Sequence, residues 1–236
     1  MHIGIIHATV NAVAPVMRQF KKTRPDIIIS NYVDEGLLAY ADEKGQVSPA
    51  GFRKFLRIID QAIRDNVDGI LIACSVYCQY KDLFSGFTEV PLTAIDEYMI
   101  AAAVTKGSRI GAIATTNAAI PVVERQLLTE AAKKGKKIQI RKEFLKDASA
   151  CLRNGEAVKH DEMIGRAAMG LINDHYDVVV LAQVSMTNAK EKILASHPEI
   201  RSDQILVSLE SGVDYAVKRT EEGLYEKTNS NRVSRG

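Results

Sequence analysis

No apolar run in this 236-residue chain approaches the 18 residues that would mark a membrane span, so none is expected. Its first residues, Met1-His-Ile-Gly-Ile-Ile-His7, lack a basic n-region, and their apolar run is too short for a secretory signal. Charge of one sign is missing as well. A net charge of +2 gives no pull toward nucleic acid or an anionic membrane. Cysteine is scarce: Cys74, Cys78 and Cys151 are odd in number and show no zinc spacing. Free thiols in a reducing cytoplasm are therefore the expectation. Gly-x-Gly-x-x-Gly and phosphate-loop patterns are absent, which removes support for nucleotide chemistry. His160-Asp-Glu162 does not fit a zinc-binding helix, and His197-Pro198 reads as a loop. No zinc site is expected from these patterns.

What is present is a core-forming composition, 46% hydrophobic, in a chain long enough for one large domain or two small ones. The stretch that organises it is Asp68-Gly-Ile-Leu-Ile-Ala-Cys-Ser-Val-Tyr77. Ile70 to Ala73 read as a buried strand that stops at Cys74-Ser75. Ligands in open parallel α/β sheets collect beyond the carboxyl ends of the strands, which is where Cys74 falls. The same shape returns in Asp177-Val-Val-Val-Leu-Ala-Gln-Val-Ser185, with Gln183 in the place of Cys74.

The rest of the chain repeats in step. Strands are expected at 2–8, 26–30, 69–73 and 90–95, and again at 109–116, 137–141, 178–182 and 204–209. Helices are expected at 15–22, from Ser48 onward, at 97–106 and 121–133, and from 146 to about 174 with a break at Asn154-Gly155. From Lys218 the chain reads as a polar tail, with its last eight or so residues disordered. The pattern implies an α/β fold: two pseudo-symmetric, duplicated α/β domains with mostly parallel four-stranded sheets and a ligand cleft between them. Residues 1–106 with 211–236 would form one domain and 107–210 the other.

Cys74 lies between a strand end and an expected helix start, a setting that favours the thiolate. The competing reading is a small buried hydrophobe. Cys78, one helical turn on, allows a redox pair or simple packing. Thr9 ends the first strand, and Thr115, Thr116 and Asn117 end its copy. Their hydroxyls, amide and nearby backbone N–H groups suit a carboxylate, or else they cap turns.

Together, Ile3-Gly-Ile-Ile-His-Ala-Thr9, Ile70-Leu-Ile-Ala-Cys-Ser75, Ile110-Gly-Ala-Ile-Ala-Thr115 and Val178-Val-Val-Leu-Ala-Gln-Val-Ser185 resemble the aspartate/glutamate (hydantoin) racemase superfamily. That superfamily includes glutamate, aspartate and hydantoin racemases, maleate isomerase and arylmalonate decarboxylase. The resemblance spans roughly residues 2 to 217. It implies paired α/β domains and metal-free, cofactor-free proton transfer between two cysteines, one from each half. Cys74 matches the first; Gln183 stands where the second would be and exchanges no proton at neutral pH. The family's decarboxylase also keeps one cysteine, on the other half. The resemblance further implies a carboxylate held by groups at Thr9, Ser75, Thr115, Asn117 and Ser185; Thr116 joins them by its place at the strand end, and Gln183 would donate a hydrogen bond to substrate.

These readings lead to a cytoplasmic, homo-oligomeric, cofactor-independent isomerase that uses a single catalytic cysteine, Cys74. Its substrate would be a small carboxylic acid or a related carbonyl compound. A single-cysteine decarboxylase or other lyase is the alternative within the superfamily. A carboxylate-binding protein without turnover, or a Cys74–Cys78 redox protein, are the alternatives outside it.

Overall fold

Short runs of β-branched residues, apolar throughout, have no polar face to offer solvent and pair best inside a parallel sheet covered on both sides. The computed structural model describes residues 1–42 and 44–233, with side chains up to residue 226. It contains two such sheets. The first half runs β1 (His2–His7), α1 (Val13–Thr23), β2 (Ile28–Val33), α2 (Pro49–Arg64), β3 (Gly69–Ile72), the single turn α3 (Ser75–Cys78), α4 (Lys81–Ser85) and β4 (Leu92–Ala94). The second runs α5 (Glu97–Lys106), β5 (Arg109–Ala114), α6 (Ala119–Lys133), β6 (Gln139–Phe144), α7 (Lys146–Arg153), α8 (Ala157–Asn173), β7 (Val178–Leu181), α9 (Thr187–Ser196) and β8 (Ile205–Val207). A last helix, α10 (Leu209–Val233), follows.

The sheets have strand orders β2-β1-β3-β4 and β6-β5-β7-β8, which are the same order one copy apart. Every strand pairing in both is parallel. The expected duplication and four-stranded α/β fold are therefore observed. Asp68 and Asp177, which match in the repeat, do the same work at the amino ends of the sheets. Asp68 accepts the His2 N–H at 2.8 Å, and Asp177 accepts those of Ser108 and Arg109 at 2.7 and 2.8 Å. Those two backbone donors hold the Asp177 carboxyl below the usual carboxylate range.

Compact packing divides the chain into residues 1–40, 47–95 and 210 onward, and residues 41–46 and 96–209. The main crossing falls between residues 95 and 96, before α5 and about one helix earlier than the expected boundary after residue 106. The reason is packing. Met99, Ile100, Ala103 and Val104 of α5 bury in one cluster with Ile110, Ala112, Val178 and Val180 of the second sheet. In return, α10 packs onto the first unit. The expected polar tail is helical to Val233, and residues 234–236 lie outside the described residues. Thr220 sits against Gly69, where an added Cβ would meet its Oγ1 at 2.1 Å. Arg24 bonds Glu221 at 2.7 Å.

At Gly212 an added Cβ would lie 2.2 Å from the carbonyl oxygen of Ile95, a backbone atom that cannot swing aside. Gly212→Ala is expected to destabilise the protein by about 1–3 kcal/mol through overpacking. Gly170→Ala in α8, where an added Cβ meets nothing within 4 Å, should instead gain up to about 1 kcal/mol of helix propensity. Denaturant unfolding of the two variants checks the contrast, and equal stabilities would refute it.

Candidate active site

The first unit carries Cys74 at the carboxyl end of β3. The strand's backbone continues past Ile72: Ala73 N–H bonds the Ile6 carbonyl of β1 at 2.9 Å, and Cys74 keeps an extended conformation, φ −141° and ψ 108°. The chain then turns at once into α3. The expected helix after Cys74 is a single turn, so its dipole is small, and α4 starts separately at Lys81. All three cysteines are thiols. Cys78 does not bridge to Cys74; its Sγ–H points back to the Ile72 carbonyl at 3.2 Å.

Beneath Cys74 lies an aromatic layer. Tyr77 is fully buried and stacks on Phe55 with ring centres 4.5 Å apart, and Phe55 stacks on Phe84 at 4.6 Å. The Tyr77 hydroxyl donates to the Leu37 carbonyl at 3.0 Å. This ties the turn after Cys74 to the 3₁₀ segment Glu35–Tyr40 that follows β2. Burial pushes the Tyr77 hydroxyl well above its ordinary pKa, and the nearby Cys74 and Asp34 push it the same way. Asp34 is itself paired with Lys54 at 2.9 Å. No motif in the sequence signals this Tyr77–Asp34–Lys54 group; it exists only once β2, α2 and β3 are assembled.

Of the other expected residues in this unit, Ser75 opens α3, half-buried, directly after the thiol. Thr9 follows the end of β1, and its hydroxyl accepts the Asn11 N–H at 3.4 Å, the capping role that competes with ligand binding.

His7, the last residue of β1, is buried beside Ala73's pairing point. Its Nε2 bonds Asn31 Oδ1 at 3.0 Å, and its Nδ1 has no partner among the described residues. Burial lowers its pKa, and the Asn31 bond opposes that in part. The folded protein thus holds His7 neutral, while the unfolded chain takes up a proton near pH 6.5. Stability should therefore fall as pH drops below about 6.5. His7→Gln, which can still bond Asn31, should show a shallower loss of melting temperature between pH 7 and 5. Parallel curves would refute the assignment.

The second unit repeats the arrangement. Ala182 N–H bonds the Ile113 carbonyl at 3.0 Å, and Gln183 is extended at φ −138° and ψ 141° before a 3₁₀ turn at Val184–Met186. Gln183 therefore occupies the same post on β7 that Cys74 occupies on β3. Its side chain is fixed: Oε1 accepts both the N–H and the hydroxyl of Thr115, at 2.7 and 2.9 Å. A backbone N–H can only donate, so the atom it meets is the amide oxygen, and the NH₂ is the end left for other contacts. Thr115, at 4% exposure, is thus occupied with Gln183. Thr116 and Asn117 are exposed just beyond β5, and Ser185 is half-buried in the turn after Gln183.

Among the described residues no group of three His, Cys, Asp or Glu is placed to hold a metal ion. Nor is any helix among them long and apolar enough to cross a membrane.

The sequence profile of the Asp/Glu/Hydantoin racemase family matches residues 4–216. No curated protein sequence matches the chain. Solved structures do. Glutamate racemase from Francisella tularensis subsp. tularensis SCHU S4, in complex with D-glutamate, superposes with a TM-score of 0.63 at 18% identity, covering 98% of this chain and 81% of that one. Allantoin racemase from Pseudomonas fluorescens gives 0.65 at 15% identity, covering 94% and 92%. A cysteine-for-glycine variant of arylmalonate decarboxylase, in a sulfate-associated form, gives 0.58 at 14% identity, covering 94% of each chain. At these identities the likeness is one of fold.

Proposed function

We propose that this chain, which belongs to the Asp/Glu/Hydantoin racemase family, is a cofactor-independent enzyme that moves a proton at a carbon beside a carbonyl, with Cys74 as its acid/base. The substrate is a small carboxylic acid or a related carbonyl compound. The observation that carries this reading is the pair of equivalent posts. Cys74 and Gln183 share an extended backbone and a strand-end position, and each directly follows an alanine, Ala73 or Ala182, whose N–H bonds the neighbouring strand. Only one of them bears a group that ionises near neutral pH.

The chemistry follows from that asymmetry. The Cys74 thiolate takes the α-proton, and the electron pair left on carbon moves into the carbonyl, giving an enolate-like oxyanion. Backbone N–H groups at Ser75 and Ser185, and the NH₂ of Gln183, are donors suited to that charge. The thiol then returns the proton to carbon. Thr9, Thr116 and Asn117 complete the proposed substrate contacts, with Thr115 acting through Gln183, whose carbonyl oxygen it holds. Loss of carbon dioxide from a malonate-type acid would give the same enolate, and one thiol suffices to protonate it. The single thiol therefore also favours a decarboxylase as the second reading.

Deuterium incorporation from heavy water tests both. The purified protein is incubated with a panel of small acids, substituted malonates and cyclic ureides, and the carbon-bound protons are followed by NMR. Exchange or decarboxylation of at least one compound is expected, and Cys74→Ser should abolish it. A panel member that binds tightly yet never exchanges would point instead to a binding protein.

A further inference from the structure

We propose that the groove between α8 and α9 is a second binding site, for a zwitterionic α-amino acid with an apolar side chain. It is a cavity of ≈ 570 Å³ formed entirely by the second unit, within the ordinary range of small-molecule pockets. Residues 161, 162, 165, 166 and 169 of α8 face it at helical spacing, and Lys192 and Ile193 of α9 form the opposite wall.

The charges in this groove fall into two groups. Asp161, whose side chain is 4% exposed, is fully engaged: Oδ1 meets Nδ1 of the buried His160 at 2.9 Å, and Oδ2 pairs with Lys192 Nζ at 2.8 Å. A buried carboxylate satisfied on both oxygens is a fixed part of the wall, and it holds Lys192 with it. Glu162 and Arg166 are different. They stand four residues apart on one face of α8, in the order that favours an ion pair. Yet neither has a hydrogen-bond or ion-pair partner among the described residues. One available carboxylate and one available guanidinium, a helical turn apart, suit a ligand that carries both charges. A lone anion would meet Glu162, and a lone cation would meet Arg166 and Lys192. Between them the floor is apolar or bare: Ile193 is 5% exposed, and an added Cβ on Gly165 would come only to ordinary contact with Ile193, 3.6 Å. That floor accommodates an aliphatic side chain.

The test uses the full-length protein with L-leucine, isovalerate and isoamylamine as probes, followed by backbone NMR shifts and calorimetry. Leucine is expected to shift amides of α8 and α9 and to bind at least about tenfold more tightly than either single-charge analogue. Arg166→Gln and Glu162→Gln, both at exposed positions, should each weaken leucine by about tenfold or more. Gly165→Leu, which fills the floor and suits a helix better than glycine, should abolish binding. Cys74→Ser should leave it unchanged. Loss of leucine binding in Cys74→Ser with retention in the three groove variants would overturn the proposal, as would equal affinity for the single-charge analogues. An absence of α8 and α9 shifts at about 10 mM leucine would overturn it too.

Discussion

Cys74→Ser is expected to lower turnover by about 10²–10⁴-fold, the usual loss when a lone acid/base is removed, with the fold intact. Serine matches cysteine in shape, and the extended backbone at this post is one that serine adopts readily as a helix N-cap. Because the post is buried, the variant should lose about 1 kcal/mol of stability while keeping the fold. What it cannot supply is the proton chemistry: a hydroxyl is far too weak an acid to exist as an alkoxide at neutral pH. The other thiols serve as controls. Cys151 is buried in α7 of the second unit, so Cys151→Ser should cost a little stability and no activity. Cys78→Ala removes the Sγ–H that reaches the Ile72 carbonyl and should act mainly through stability. Steady-state rates and melting curves of the three variants separate these cases. Wild-type turnover by Cys74→Ser would end the thiol mechanism. A large loss confined to Cys151→Ser would move it elsewhere.

The central strands were readable because the physics that buries them also writes them. Gly69–Ile72 and Val178–Leu181 are buried at every position, and a strand covered on both faces has to be apolar throughout. The edge strands were misplaced. Asp26–Ser30 reads as apolar, yet β2 is Ile28–Val33, because pairing of His2 with Ile28 through His7 with Val33 sets its extent. The shift at β6, from 137–141 to Gln139–Phe144, has the same origin in its register with β5. Helix α9 has no legible apolar pattern in the sequence. Only Ala189 and Ile193 are buried along it, too few to write a helical period. The placement of α5 with the second unit depends on long-range contacts that no local pattern encodes.

The site shows a similar division. The mismatch of Cys74 with Gln183 is visible in a duplicated motif, since equivalent positions can be compared letter by letter. The attachment of Gln183 to Thr115 is not, because it depends on β5 lying beside β7. Thr115, expected from the sequence as a substrate contact, donates its N–H and its hydroxyl proton to the glutamine.

That attachment sharpens the second expectation, which concerns stereochemistry. A chiral acid of the accepted hand should exchange its α-hydrogen for deuterium with retention, at a rate exceeding racemisation by about 10²-fold or more. A decarboxylation should likewise give one enantiomer. A planar enolate has two faces, and a single thiol delivers a proton to one of them. Racemisation needs a second exchanging group, and the amide at the equivalent post has none to offer near neutral pH. Gln183→Cys tests whether identity at that post decides the outcome. The substitution has a cost: the buried N–H of Thr115 loses its acceptor, worth about 1–3 kcal/mol of stability. The new thiol would also titrate near its free value of about 8.5. Racemisation should therefore emerge in this variant only as pH rises toward and above about 8.5, together with a lowered melting temperature. Gln183→Glu keeps both bonds from Thr115 but adds a negative charge, so it should weaken anionic substrates. In the wild-type protein, deuterium entering on both faces as fast as it enters on one would mean that a group other than Gln183 acts as a second base.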